Sequence, residues 1–263
     1  MPELSMEPLR EWFETHVDHY RNEAGEASEM VELKHQHTFR VMTHARAIRK
    51  EWGASDEMSF ALDAAALLHD VGRFPQVVRR KTYDDMEGYN HAVEGEKILS
   101  EAGVLDYLPD HIGEVVLTAV KHHNLGVLPG NLAPDARLVT EAVRDADKMD
   151  AIRNILRCLS PDALQGKALK SGMSWDDNEV SPVVFKAAMN RQLVAFEAIK
   201  WSNDFILFVC CWLYDLHYNY SYRHLSESGK FETLLSKLPD NGQFAELKEQ
   251  FRSDLDWIEK RSR

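Results

Sequence analysis

Apolar residues recur at steps of three and four along most of this chain, which is the spacing that places them on one face of an α-helix. Met30, Leu33, Val41 and Ile48 follow this spacing and predict a helix over about residues 28–52. No stretch shows the sustained alternation of apolar and polar residues, with β-branched enrichment, that predicts strands. The chain is therefore predicted to be all-α.

Further helical patterns predict the rest of the organisation. They cover about residues 60–68, 90–102, 110–122, 135–159, 182–189, 196–220 and 243–258. The segment 164–180, which contains two glycines and two serines, is the best candidate for a break between a histidine-rich part and an aromatic-rich part. The second part would expose large apolar side chains if left alone, so we expect its helices to pack on the first part. The expectation is one domain over residues 1–263, with a core of about 28–160 and a C-terminal helical extension of about 180–263.

The charge balance limits the partners of the chain. Its 263 residues carry 31 Lys and Arg against 43 Asp and Glu, a formal net charge of −12. Binding to DNA or RNA as a polymer draws its affinity from Lys and Arg that neutralise phosphates, so broad nucleic-acid binding is not expected. Docking on an anionic membrane is disfavoured for the same reason.

Three features predict a cytoplasmic protein. The most apolar window, residues 205–213, is nine residues long, whereas a membrane-spanning helix needs about 20. The first nine residues contain two prolines and two glutamates, unlike the basic start and apolar run of a secretory signal. Cys158, Cys210 and Cys211 lack the spacing of a metal or redox motif and are interpreted as reduced, buried thiols.

Histidines and aspartates interrupt the apolar faces of the predicted helices. His37 lies on the inward face of the first helix, and His69 and Asp70 terminate an alanine-rich one. The same kind of position is predicted for His91, His123 and Asp147. A lone buried histidine is usually a core residue, but burying an ionised carboxylate costs several kcal/mol unless it is paired or binds a metal. Imidazole and carboxylate ligands together suit Fe, Mn, Zn, Co or Ni better than Ca or Mg.

This ordered set resembles the signature of the HD metallohydrolase superfamily. The surrounding segments are similar to the motifs of that superfamily as well: residues 34–41, 67–74, 90–99, 119–124 and 144–150. The resemblance covers roughly residues 30–158, and the C-terminal part, including residues 213–216, resembles an uncharacterised bacterial subgroup. It implies an HD-domain helical bundle with additional C-terminal helices packed on it.

The resemblance also implies a ligand set. A first divalent transition-metal ion would be held by His37, His69, Asp70 and Asp147. A second would be held by His91 and His123, with Asp70 bridging. The superfamily includes members with one metal, but both extra histidines are present here, so two ions are favoured over one. His122 is a further candidate ligand, although it lies about 100° from His123 around the helix and could instead act as a nearby base or be exposed.

The implied reaction is hydrolysis of a phosphoester by metal-activated water, with a nucleotide or a small phosphorylated metabolite as substrate. Asp70 would bridge the metals and orient the nucleophile. Arg73 and Lys148 are predicted to bind phosphate oxygens, although each could instead pair with a neighbouring carboxylate such as Asp145 or Asp150. The chain is thus predicted to be an HD-type metal-dependent phosphohydrolase.

Two other functions stay open on the sequence alone. Some proteins with this fold and ligand set are di-iron oxygenases, and others are metal-binding regulatory or ligand-sensing domains with little turnover. The basic residues 79–81 are expected on the loop before His91, where they could attract an anionic substrate or simply be solvated. The aromatic C-terminal helices could form a pocket wall or a homodimer surface, but core packing is favoured.

Overall fold

The computed structural model describes residues 4–85, 88–159, 170 and 172–261. In these residues the regular structure is helical, apart from one isolated bridge between Ser174 and Trp201, which confirms the all-α prediction. The chain divides into two compact units, Met1–Asp150 and Ala151–Arg263. That the two parts form one domain stays a prediction.

The first unit is built from seven α-helices in the residues that the structure describes. They are α1 (Glu7–Glu23), α2 (Ser28–Trp52), α3 (Asp56–Leu68), α4 (Arg73–Arg80), α5 (His91–Glu101), α6 (Asp110–His122) and α7 (Pro134–Cys158), the last of which continues into the second unit. Helix α3 packs against both α2 and α6, and α5 packs against α6 and α4. The short helix Gly25–Ala27 between α1 and α2 is of the 3₁₀ type.

Helix α3 is buried on every side over residues 60–68, an apolar run in which Asp63 is the one polar residue. Its first turn is capped by the hydroxyl of Ser55, which accepts the Met58 N–H at 3.2 Å. From residue 60 to residue 68 each residue is buried, and the alanines let the neighbouring helices approach closely. Since the helix ends inside the unit, the two residues that follow it, His69 and Asp70, also lie in the interior.

Helix α2 has the bounds that the periodicity predicts. It ends at Gly53, which takes the left-handed conformation (φ 68°) common after a helix. Of the predicted inward face, Val41, Ile48 and His37 are buried, His37 with 1% exposure, whereas Met30 and Leu33 are half-buried. The spacing of the apolar residues therefore carries His37 into the core.

A close backbone contact sets the position of α5. A Cβ atom placed on Gly72 would lie 2.1 Å from the carbonyl oxygen of His91 and 2.8 Å from the backbone nitrogen of Gly95. The start of α5 is fixed by Asn90, whose side chain accepts the N–H groups of Ala92 and Val93. Because residue 72 has no side chain, the first turn of α5 can rest against the turn that follows Asp70.

The expectation that residues 79–81 lie on a loop is wrong for Arg79 and Arg80. Arg79 and Arg80 form the last turn of α4, and Lys81 follows with a φ of 56°. Pro75 lies at the third position of this helix, where proline is tolerated because the N–H it lacks has no intrahelical partner. The basic residues therefore lie at a helix end.

The described part of the second unit contains four short helices and one of 20 residues. They are α8 (Pro182–Met189), α9 (Ser202–Cys210), α10 (Asn219–Glu227), α11 (Lys230–Leu235) and α12 (Gly242–Arg261). Helix α9 packs against α8 and α11, and α10 packs against α12 and α11. Cys210 and Cys211 are buried, and burial raises the pKa of Cys211 to about 12. Both are free thiols, as is the half-buried Cys158.

The prediction of one helix over residues 196–220 is wrong. The segment is divided into a 3₁₀ helix (Phe196–Ala198), α9 and a second 3₁₀ helix (Cys211–Asp215). The physical reason for the first break is Asp204, whose Oδ2 accepts the backbone N–H groups of Lys200 at 3.0 Å and Trp201 at 3.1 Å. These bonds use a carboxylate to satisfy backbone donors just before α9, so a new helix starts there.

The predicted break at residues 164–180 lies partly outside the described residues, which omit 164–169 and 171. Its remaining stretch, residues 172–180, contains no helix. Among the helices that the structure describes, none combines the length and the apolar character needed to cross a membrane.

Candidate metal centre

Six of the predicted ligands come together in the first unit. Among the described residues, three groups have one ligand atom per residue with all of these atoms within 4.8 Å of one another. The groups are His37, His69 and Asp70; His69, His123 and Asp147; and Asp70, His91 and His123. Because each group shares a residue with another, they form one continuous cluster.

Five helices supply the cluster. His37 comes from the middle of α2, while His69 and Asp70 follow the end of α3. His91 is the first residue of α5, His123 follows α6 directly, and Asp147 lies on α7. All are buried except Asp147, whose side chain is 30% exposed. The cluster therefore has one open side, at Asp147.

Each of the four histidine rings is held by its Nδ1 atom. The acceptors are Asp150 Oδ2 for His37 (2.7 Å), the Ala66 carbonyl for His69 (2.9 Å), Asp85 Oδ2 for His91 (2.5 Å) and the Val120 carbonyl for His123 (2.7 Å). Carboxylate and carbonyl oxygens only accept hydrogen bonds, so in the neutral rings the proton is on Nδ1. The Nε2 atom of each ring then carries a lone pair, which is the form that binds metals.

Asp70 lies between two pairs of these Nε2 atoms. Its Oδ2 is 3.5 Å from His37 Nε2 and 3.4 Å from His69 Nε2. Its Oδ1 is 3.4 Å from His91 Nε2 and 3.8 Å from His123 Nε2. One oxygen of the carboxylate thus faces each imidazole pair.

The donor set fits a divalent transition-metal ion. The Nε2 atoms of His37 and His69 are buried and have no hydrogen-bond partner, although Asp147 Oδ1 lies 3.0 Å from the first of them. The Nε2 atoms of His91 and His123 face each other at 3.0 Å, which brings two lone pairs together. Acceptor atoms that face one another around a buried carboxylate are satisfied by a cation.

Two of the histidines are held in the neutral form. Burial, followed by the charges of His91 and His69, lowers the pKa of His123 to about 3. Burial and the charge of Arg73 also lower the pKa of His91. At His69 burial acts in the same direction, but Asp70 outweighs it and the pKa is raised. His69 therefore takes up a proton more readily than His91 and His123, which lie on the other side of Asp70.

Asp150 is a site residue that the sequence offered only as an ion-pair partner. Its carboxylate accepts from the His37 ring and also from Arg40, with Nε to Oδ1 at 2.6 Å and Nη2 to Oδ2 at 3.1 Å. Burial opposes its ionisation, but His37 and Arg40 hold its pKa below the usual range. Its spacing from Asp147, three residues along α7, is the signal that places both on one face.

Asp85 has the same role at His91, and it explains the contacts of Arg73. Arg73 Nη1 donates to Asp85 Oδ1 at 2.9 Å, to Gln76 Oε1 at 2.7 Å and to the Tyr83 carbonyl at 2.5 Å. Its Nε is buried without a hydrogen-bond partner, 3.6 Å from Asp70 Oδ1. Arg73 therefore pairs with Asp85, which is neither of the carboxylates suggested by sequence proximity.

The structure does not bring His122 to the cluster. Its ring Nδ1 bonds to the Thr118 carbonyl at 2.9 Å, the side chain is half-buried, and it belongs to none of the three groups. This agrees with its angular distance from His123 around α6. Lys148 is half-buried next to Asp147 on α7, and its predicted contact with phosphate stays a prediction.

Sequence reasoning missed Lys34 as a site residue. Its Nζ donates to Asp70 Oδ2 at 2.6 Å, and its side chain is 15% exposed. The residue lies three positions before His37, so both side chains project from one face of α2. That spacing was visible in the sequence, but the partner, 36 residues further along, was not.

Residues 35–155 match the family model of the HD domain. The matched range contains all six clustered residues. The chain therefore contains an HD domain over these residues, which confirms the resemblance drawn from its motifs, and HD domains bind divalent metals. Neither the comparison with curated proteins nor the comparison with solved structures gives a significant match.

Proposed function

We propose that this chain is a metal-dependent phosphohydrolase that cleaves a phosphoester of a nucleotide or of a small phosphorylated metabolite. The observation that carries the proposal is the position of Asp70, with one carboxylate oxygen toward His37 and His69 and the other toward His91 and His123. A carboxylate placed in this way is suited to hold two cations at once.

The residues would divide between two ions. His37, His69 and Asp147 would hold the first, His91 and His123 the second, and Asp70 both. A bound Fe, Mn, Zn, Co or Ni ion supplies Lewis acidity, which activates water near neutral pH and neutralises charge on a phosphoryl group. Asp150 and Asp85 fix the orientation of His37 and His91, and such supporting contacts strengthen metal binding.

Arg73 and Lys148 are the proposed contacts to the phosphoryl oxygens. The buried Nε of Arg73 is a donor without a hydrogen-bond partner beside Asp70, so an anionic oxygen there would satisfy it. We expect Arg73→Ala to raise KM or lower kcat with the metals retained. Loss of metal in this variant would mean that Arg73 acts by holding Asp85, and through it His91.

Charge supports a small substrate over a polymer. The whole chain is acidic, with a net charge of −12, which disfavours long polyanions. Two divalent ions would reverse the sign locally, because their four positive charges exceed the two negative charges of Asp70 and Asp147, the acids of the ligand set. An acidic protein with a cationic site suits a phosphorylated metabolite or nucleotide.

The experiment is a phosphoester screen with metal content measured on the same sample. The protein is loaded with Mn²⁺ or Co²⁺ and assayed with and without oxygen. Turnover that persists without oxygen is the expected result. Oxygen consumption tied to substrate loss would overturn the proposal in favour of a di-iron oxygenase. Absence of turnover on a broad panel at full metal occupancy would overturn it in favour of a ligand-sensing domain.

A further inference from the structure

The ammonium group of Lys34 donates a hydrogen bond to Asp70 Oδ2, a carboxylate oxygen that a metal ion would use as a ligand. Nζ is 2.6 Å from Asp70 Oδ2. The same oxygen faces the Nε2 atoms of His37 and His69 at 3.5 Å and 3.4 Å. A divalent ion held by those two histidines and Asp70 needs this oxygen as well.

The chemistry of the surroundings explains why a lysine is there. A buried carboxylate requires either hydrogen-bond donors or a positive charge. In the neutral rings, the imidazole nitrogens that face Asp70 Oδ2 carry lone pairs and cannot donate, since the single ring proton is used at Asp150 or at the Ala66 carbonyl. Lys34 supplies both the donor and the charge.

We propose that Lys34 is an internal cation which neutralises Asp70 in the metal-free protein and which a divalent ion must displace from Oδ2 when it binds. The proposal goes beyond the proposed function, because it concerns metal uptake and needs no substrate. It assigns Lys34 a competing role in place of a ligand role.

The contacts of Lys34 suit a residue that has to move. An ammonium group on a flexible stem makes one strong bond here, and the ring of Tyr83, 5.5 Å from Nζ, offers a second place for the charge. The 15% exposure of the side chain gives it a route toward solvent. Arg40 is different, since its guanidinium grips Asp150 through two nitrogens.

The test is the affinity for Mn²⁺ of the Lys34→Met variant. Calorimetric titration of the metal-free proteins is expected to show binding at least about tenfold tighter than wild type, which corresponds to about 1.4 kcal/mol. The metal-free variant should also melt at a lower temperature, because Asp70 has lost its counter-ion. Lys97→Met is the matched control: it makes the same change on the surface, where Lys97 pairs with Glu101 at 3.9 Å, and should leave Mn²⁺ affinity unchanged.

Unchanged or weaker Mn²⁺ binding by folded Lys34→Met would overturn the proposal. If that variant does not fold without metal, Lys34→Arg provides the test, because arginine keeps the charge and grips a carboxylate more firmly. Its Mn²⁺ affinity should be equal to that of wild type or weaker, and tighter binding would overturn the proposal. Since no substrate is used, a failed phosphoester screen would overturn the proposed function and leave this result standing.

Discussion

Asp70 in the first unit and Asp204 in the second are both buried aspartates, and they are held in opposite ways. The oxygens of Asp204 accept the Ser181 N–H and hydroxyl at 2.7 Å each and the N–H groups of Lys200 and Trp201. These are neutral donors supplied by the chain. The four imidazole nitrogens that face Asp70 are acceptors in the neutral rings.

The difference shows that burial of a carboxylate does not by itself indicate a metal site. What decides is whether the atoms around it donate or accept. Four donors around Asp204 satisfy a carboxylate with two oxygens, and they fasten the start of α9 to the segment before α8. Around Asp70 the ring protons point outward, so the charge at the centre is left for a cation.

The largest effect is expected for Asp70→Ala. Removal of this carboxylate leaves two cations without their shared ligand, so activity should fall at least about a thousandfold and metal content to a small fraction of wild type. Metal analysis and assay of the same preparation measure both. A folded variant with unchanged metal and rate would contradict the site assignment.

Asp204→Ala should instead affect stability. Four donors lose their acceptor, and breaking a buried charged network of this kind costs about 3–5 kcal/mol of unfolding free energy. Metal bound per folded molecule should stay at the wild-type level. Denaturant unfolding measures the loss of stability, and metal analysis measures the ions bound per folded molecule. Loss of metal from folded Asp204→Ala would contradict the view that Asp204, unlike Asp70, has no part in metal binding.

His91→Ala tests the division of the centre into two halves. The variant should lose mainly the ion on the His91 and His123 side, so metal content should fall by about one ion per chain. His111→Ala is the matched control, because His111 is exposed and contacts Glu57 at 3.4 Å. If two ions remain bound after His91→Ala, the assignment of a second ion to this histidine pair is wrong.

The smallest effect is a difference in pH response between the two halves. Asp70 raises the pKa of His69 above 6.5, so protons compete with metal there as soon as the pH falls through that range. His123, with a pKa of about 3, stays neutral. The ion on the His37 and His69 side should therefore leave first between about pH 7 and 5. Metal content of wild type and His91→Ala across this range checks the order, and simultaneous release would contradict it.

In the metal-free protein, the raised pKa of His69 makes a low pH favourable to folding, whereas in the metal-bound protein a low pH favours release of the ion. A raised pKa at His69 means that its protonated form stabilises the fold. This contribution is complete below the unfolded pKa of about 6.5 and is lost as the pH rises through the folded value.

Most of the metal centre was predictable because its ligands lie on periodic helices. His37 follows the apolar spacing of α2, and His69 with Asp70 ends a helix whose last five residues are all Ala or Leu. The bounds of α2, α6 and α8 were predicted to the residue for the same reason. Strong periodicity fixes both where a helix lies and which way its polar residues point.

The missed residues depend on tertiary contacts that no local pattern records. Asp85 lies between α4 and α5 and meets His91 only because the chain folds back there. Lys34 and Asp70 are 36 residues apart, and their pairing depends on α2 packing against α3. The break before α9 was missed because Asp204 acts through its carboxylate on two preceding N–H groups, whereas the apolar run continues past it.

Gly72 binds no metal, but its close contact with the start of α5 makes it as necessary to the site as the metal ligands. A methyl group there would meet the His91 carbonyl at 2.1 Å, so any other amino acid would push the first turn of α5 outward. His91 would move with that turn and away from Asp70. The distance between Asp70 and His91 thus depends on residue 72 having only a hydrogen atom as its side chain. A search for essential positions that is limited to metal-binding side chains would overlook this residue.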